Sequence, residues 1–314
     1  MSAPALRIRD LRVDYGDTIA VRGLDLEVPA GEVFGLIGPN GAGKTSTFRV
    51  AATLMEPTHG DVEICGVDVA LRPDAARTQL GYMPDLAPVA SDLKVWEFLD
   101  LFAASHGFSG DARQARVSEC LAEVRLTEKR DAFCRQLSRG MMQRLVLAKT
   151  MLHRPNLMIL DEPASGMDPP SRAHLRQSLR KMAADGAAVV VSSHILSELA
   201  DMCTSVGILS KGSLLASGTI ASVVESLGAN RAQVCARFAE IAHASRALDF
   251  VKARLAATAP SLSGDRLQFE LAGGASTHAE IIAAFVNEGL SLAAFEVRSG
   301  TIEDVILSLE GDAS

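Results

Sequence analysis

Aromatic side chains are scarce in this sequence. Of 314 residues only 4% are Phe, Trp or Tyr, with one tryptophan and two tyrosines. Positive charge is also short: 31 Lys and Arg stand against 38 Asp and Glu, a formal net charge of −7. That balance argues against a general nucleic-acid binder, which presents a basic face. No uninterrupted apolar run approaches the roughly 20 residues that cross a bilayer as a helix. The stretch from Met1 to Tyr15 carries Arg7, Arg9, Asp10, Arg12 and Asp14 and no apolar segment, so no signal peptide is expected. The five cysteines (65, 120, 134, 203 and 235) are odd in number and lack C-x-x-C spacing, which predicts reduced core thiols in a cytosolic protein. Low-complexity tracts and internal repeats are missing too. What is present is 48% hydrophobic and 22% charged residues, the composition of a packed chain long enough for one large domain and a smaller one.

One stretch organises the rest. Gly38-Pro39-Asn40-Gly41-Ala42-Gly43-Lys44-Thr45 reads G-x-x-x-x-G-K-T, a phosphate-binding loop. The apolar run Glu32 to Ile37 before it suits a buried strand, and Ser46 to Leu54 after it continues as a helix. Glycines let backbone N–H groups converge on phosphate oxygens, because no Cβ blocks the approach. The helix N-terminus adds partial positive charge facing the same anion. Lys44 then reaches the β- and γ-phosphates, and the Thr45 hydroxyl binds Mg²⁺.

Leu157-Met158-Ile159-Leu160 followed by Asp161-Glu162-Pro163 is a buried parallel strand delivering two acids at its C-terminal end, where open α/β sheets bind ligands. Alternation along a strand points neighbours opposite ways, so the two acids are expected to divide the work. One holds Mg²⁺, through water, and the next orients and polarises the attacking water. Ala188 to Ser193 is a further buried strand that ends at His194, which predicts a role for this histidine near the γ-phosphate. The other histidines show no metal-ligand spacing. Ser138 is a predicted N-cap for a helix running through Met151-Leu152, and a hydroxyl with Gly140 at a helix start also makes an anion site.

Elsewhere the periodicity predicts strands at 6–15, 18–22, 24–28, 60–66 and from Leu80, and a short helix around 74–78. Helices are expected at 92–107 and 111–125, with Trp96 in the core or facing a partner. From about 231 the pattern restarts: a strand to Phe238, a helix over 239–256, a strand at 265–271, a helix from His278 stopped by Gly289, an alternating strand at 293–297, and a last helix capped at Thr301 to Asp304. This predicts a small α/β sandwich without a catalytic constellation.

The order Tyr15, G-P-N-G-A-G-K-T, G-Y-M-P-D, L-S-R-G-M, L-M-I-L-D-E-P, S-G-M-D and S-S-H resembles the ATP-binding subunit of ABC transporters over residues 5 to about 222. G-Y-x-P followed by L-S-x-G-M-x-Q-R is similar to the bacterial exporter branch for drugs, sodium, haem or polysaccharides, and the ending at 296–305 is similar to the tail of drug-exporter ATPases. The resemblance implies a P-loop α/β fold. Its parts are a RecA-like core, an antiparallel β subdomain and a helical subdomain at about 88–155. The ATPase domain then spans 1–225 and an accessory α/β domain 226–314.

The resemblance also implies roles. ATP is held by Tyr15 stacked on adenine, by Gly38, Pro39, Asn40, Gly41, Ala42, Gly43, Lys44, Thr45 and Ser46, and by Asp161. Thr45, Asp161 and Asp85 serve Mg²⁺. Glu162 is the catalytic base or water-orienting group, and His194 senses the γ-phosphate. Ser138 and Gly140 contact ATP on the opposite subunit, and Ser165-Gly166-Met167-Asp168 crosses the dimer. Two ATPs are thus sandwiched between two such subunits, which drive a separate membrane-spanning permease from the cytoplasmic face of the membrane. Two departures stand out: Asp85 is a methylene shorter than the usual Gln or Glu, and Arg139 stands where many members have Gly. The alternative is a non-transport ATPase of the same fold acting in translation or DNA maintenance. Such proteins carry paired ATPase domains, coiled-coil insertions or basic segments, none of which is evident here.

Overall fold

The structure is a computed structural model, described for residues 3–195, 199, 202–226, 231–254, 258–272 and 275–299. Its contacts divide the chain into two compact units, Met1–Ile220 and Ala221–Ser314.

The first unit opens with β1 (Leu6–Tyr15) and β2 (Thr18–Val28), an antiparallel pair. Two short strands were expected where β2 runs unbroken. The register slips between Ile8 and Leu11, where Asp10 has φ 45° and Gly23 has φ +79°. A bulge of this kind bends the ribbon without ending its pairing. With β4 (His59–Ile64) and β5 (Val67–Asp68) they form a four-stranded sheet in the order β2-β1-β4-β5.

The second sheet has six strands: β3 (Val33–Ile37), β6 (Leu80–Met83), β7 (Leu157–Leu160), β8 (Ala188–Ser193), β9 (Ser205–Ser210) and β10 (Ser213–Gly218), in the order β10-β9-β3-β8-β7-β6. Every pairing is parallel except β9 with β10. Strands β3, β7 and β8 are buried at every residue. Covered on both faces, they read as continuous apolar runs without alternation. Helix α1 (Lys44–Ala51) follows β3, and its Phe48 sits in an apolar cluster running from Leu6 and Ile8 through to Ile159 and Val190, which joins the two sheets.

The unit also holds helices α2 (Pro73–Gln79), α3 (Val95–Ser105), α4 (Gly110–Glu123), α5 (Arg139–Thr150) and α6 (Pro169–Ala184). The helix expected from residue 92 starts only at Val95, because Leu93 closes a turn on Ala90 and Lys94 is extended: Cys134 N donates to Leu93 O, and Lys94 bridges Phe133. Trp96 is half-buried, with the Arg130 guanidinium 5.7 Å from its ring centre. All five cysteines are unpaired. Cys120, Cys134 and Cys203 are buried, whereas Cys65 and Cys235 are only half-buried, which corrects the expectation of five core thiols.

After α7 (Ile220–Ser226) come β11 (Arg231–Phe238), α8 (Ile241–Arg254), β12 (Thr258–Ser263), β13 (Arg266–Ala272), α9 (Ala275–Asn287) and β14 (Leu292–Ser299). The sheet order β12-β13-β11-β14 with antiparallel pairing makes a β-α-β-β-α-β unit. Val234, Phe238, Leu267, Phe269 and Phe285 form its core, while Gln233, Arg237 and Gln268 face out. Strand β12 was not expected from the sequence; it is an edge strand that contains Pro260 and pairs only with β13. The last helix expected at Thr301 to Asp304 lies outside the described residues.

Candidate active site

Five parallel strands, β9, β3, β8, β7 and β6, end at one edge of the six-stranded sheet, and the expected chemistry hangs from the ends of the last four. After β3 the loop 38–43 turns into α1. At Gly38 a Cβ would stand 2.2 Å from Leu209 O, and at Gly43, with φ +107°, it would stand 2.5 Å from Ala20 O. Only glycine lets the loop lie this close to its neighbours while turning its N–H groups inward. Lys44 is 6% exposed, and its ammonium donates to the carbonyls of Gly38 and Pro39.

At the end of β7, Asp161 is buried, and its backbone N–H donates to Met83 O at 2.8 Å. Its carboxylate accepts from Thr45 Oγ1 at 2.9 Å and from Ser192 Oγ at 2.6 Å. Ser192 Oγ also accepts from Glu162 N at 2.9 Å. The two acids do part company, though not by strand alternation: β7 stops at Leu160, and Glu162 takes a left-handed conformation with φ 49°. This is a strained geometry, costing about 1 kcal/mol or more for a residue with a Cβ. It turns the Glu162 carboxylate to within 3.1 Å of His194 Nδ1 and 3.9 Å of Lys44 Nζ. Burial pushes the Glu162 carboxyl above its ordinary range, against the opposing influence of His194 and Lys44. The neighbouring Tyr82 hydroxyl is pushed up to about 12 by burial and by the Asp161 charge.

Lys44, Thr45, Asp161 and Glu162 line one cleft of about 380 Å³, whose other walls are Thr18 to Ala20, Pro39 to Gly43, Ser46 and Asp85; Gly38 and His194 are not among them. Tyr15 stands beside it, 46% exposed, with its hydroxyl 3.4 Å from Ser46 Oγ. Ser138 and Gly140 are not among its walls. Ser138 caps α5, accepting from Met141 N at 3.3 Å, and is exposed. Two features were not legible in the sequence. Ser192, the hydroxyl that ties Asp161 to Glu162, carried one signal: a polar pair closing an otherwise aliphatic strand. Thr18 to Ala20 gave none, since a strand edge becomes a cleft wall only in three dimensions.

A lysine at a glycine-rich strand-to-helix turn, with a buried acid hydrogen-bonded to the next hydroxyl, defines the P-loop class of nucleotide hydrolases. Likeness to known proteins narrows the class. The family model described as ABC transporter matches residues 21–165. The Nod factor export ATP-binding protein I of Burkholderia orbicola (strain AU 1054) is 34% identical over 226 residues, covering 72% of this chain and 74% of that protein. The daunorubicin resistance ATP-binding protein DrrA3 of Streptomyces coeruleorubidus is 31% identical over 314 residues, covering 99% of this chain and 98% of that one. Among solved structures, an ATP-binding subunit of an ABC transporter superposes with a TM-score of 0.66 at 32% identity, over 71% of this chain and 93% of that one. The chain belongs to the ATP-binding subunits of ABC transporters, which hydrolyse ATP to drive transport. Among the described residues no helix is long and apolar enough to cross a membrane.

Proposed function

We propose that this subunit powers an exporter, working as a dimer on a separate membrane-spanning permease at the cytoplasmic face of the membrane. The observation that carries export is the extent of the likeness. It runs through both units to a drug-resistance ATP-binding protein of nearly the same length.

In the proposed reaction the loop N–H groups of 40–45 and Lys44 bind the ATP phosphates, and Tyr15 stacks on the base. The site's remaining ligands suit Mg²⁺: the Thr45 hydroxyl and the carboxylates of Asp161 and Asp85 are all oxygen donors, the type a small hard cation takes. Bound there, Mg²⁺ would neutralise charge developing on the phosphate oxygens. Glu162 orients and polarises the attacking water, and its raised carboxyl pKa improves it as a base. His194 holds the carboxylate in place and senses the γ-phosphate.

Ser138 and Gly140 lie outside their own cleft and face solvent or half-buried surface, as expected of groups that complete a site on a second copy. A second cleft, of about 340 Å³, lies between 85–88 and the α5 residues Arg139, Met142, Gln143 and Val146, with Leu86 84% exposed at its rim. We assign it to a cytoplasmic segment of the permease. The test is a pull-down from detergent-solubilised membranes with ATP-loaded Glu162→Gln, read by mass spectrometry. A stoichiometric multi-spanning protein is the expected result. Ribosomal or DNA-bound proteins in its place would overturn the transport reading.

A further inference from the structure

We propose that Arg139 is a positioning residue for Glu162 of the same subunit and links the partner-facing cleft to hydrolysis. The proposal rests on the assignment of Glu162 made above. The Arg139 guanidinium lies across Gly166, where an added Cβ would stand 2.7 Å from Nε and 2.8 Å from Cδ. Gly166 has φ +71°, so both its shape and its conformation leave room for the guanidinium. Arg139 Nη2 donates to Ser165 Oγ at 3.2 Å. Ser165 N in turn donates to the Glu162 carbonyl at 3.0 Å, closing the turn that holds Glu162 at φ 49°. Two hydrogen bonds and one residue therefore separate the first residue of α5 from the backbone of the acid that orients water.

The other side of Arg139 faces the cleft walled by Asp85, Leu86 and Pro88. A segment entering that cleft meets the Arg139 stem and guanidinium directly. Any shift of the guanidinium is passed to Ser165, and from there to the strained turn at Glu162. The small lever has leverage because the Glu162 conformation is itself held against its preference.

The pair is tested on the full-length chain with Arg139→Ala and Ser165→Ala, singly and combined. ATP turnover at saturation, KM for ATP and the thermal midpoint are measured for each. Each single change is expected to lower kcat about two- to tenfold, the worth of one net hydrogen bond. KM should stay unchanged, and the thermal midpoint should fall by no more than a few degrees. The double variant should be no slower than the worse single one, because both changes cut the same link. Arg139→Lys, which keeps a donor within reach of Ser165 Oγ, should recover most of the turnover. Multiplicative losses in the double variant would overturn the proposal. So would a raised KM for Arg139→Ala with Ser165→Ala silent, which would place the arginine on nucleotide across the dimer. Normal turnover in Glu162→Gln, measured alongside, would remove the Glu162 assignment and the proposal with it, whatever the behaviour of the Arg139–Ser165 pair.

Discussion

Each of the two units of this protein buries an apolar core, a large and mainly aliphatic one in the first and a small phenylalanine-rich one in the second, yet only the first assembles chemistry. In the first, β3, β6, β7 and β8 are mutually parallel, so each delivers its C-terminal end to the same edge of the sheet. The loop 38–43, Asp85, the Asp161-Glu162 pair and His194 all come directly after those ends. In the second unit β11 runs antiparallel to both β13 and β14, and β12 to β13. Neighbouring ends there point opposite ways, and among the described residues the chain returns through hairpins and helices that gather no set of polar groups. Strand direction, more than core quality, decides where a sheet can host a reaction.

The sharpest way to break that contrast is Lys44→Ala. Loss of the buried cation should reduce ATP hydrolysis about a hundredfold or more and abolish ATP-dependent dimerisation, read by turnover and by size-exclusion with and without ATP. Survival of either would detach the loop from the phosphates. The opposite probe is Phe269→Ala, which empties the centre of the second core. It should cost that unit about 3–5 kcal/mol, seen as a separate early melting step, with ATP turnover in the cold unchanged. We further propose 1–225 and 226–314 as independent domains. A chain ended after residue 225 should keep its ATP affinity by calorimetry, and its loss would make the second unit part of the site.

Smaller in effect is Ser192→Ala. It leaves Asp161 one donor short and the Glu162 N–H without its acceptor, for about 1–3 kcal/mol of stability and a fall in kcat with KM unchanged. Subtlest is the pH profile. With Glu162 as the proposed base, turnover needs its ionised form, whose pKa is raised by burial, so activity should fall on acidification at a higher pH than an ordinary carboxylate gives. His194→Ala removes the largest influence opposing that rise, and the acid limb of kcat should then move to still higher pH.

Much of this is legible in the sequence because it is local. The loop, the two acids and His194 are each named by a few adjacent residues, and their strands are short and aliphatic. What is not legible is set by distant contacts. The late start of α3 depends on Leu93 and Lys94 meeting Phe133 and Cys134. The continuity of β2 depends on a bulge opposite Asp10. Alternation along a strand predicts that Asp161 and Glu162 separate, but a left-handed turn is what separates them. Ser192 shows in the sequence only as half of a polar pair closing an aliphatic strand, and its place between two acids appears only once β7 and β8 lie side by side.

The phosphate-binding loop has one property that reaches further than its own geometry. The Lys44 ammonium donates to the carbonyls of Gly38 and Pro39 and lies 3.9 Å from the Glu162 carboxylate. In the proposed cycle nucleotide binding is an exchange of ligands on a cation already surrounded by protein oxygens, two carbonyls and, at 3.9 Å, the Glu162 carboxylate. Product departure is the same exchange reversed. A pocket built this way resets like an ion-exchange resin, ready for the next charge as soon as the last one leaves.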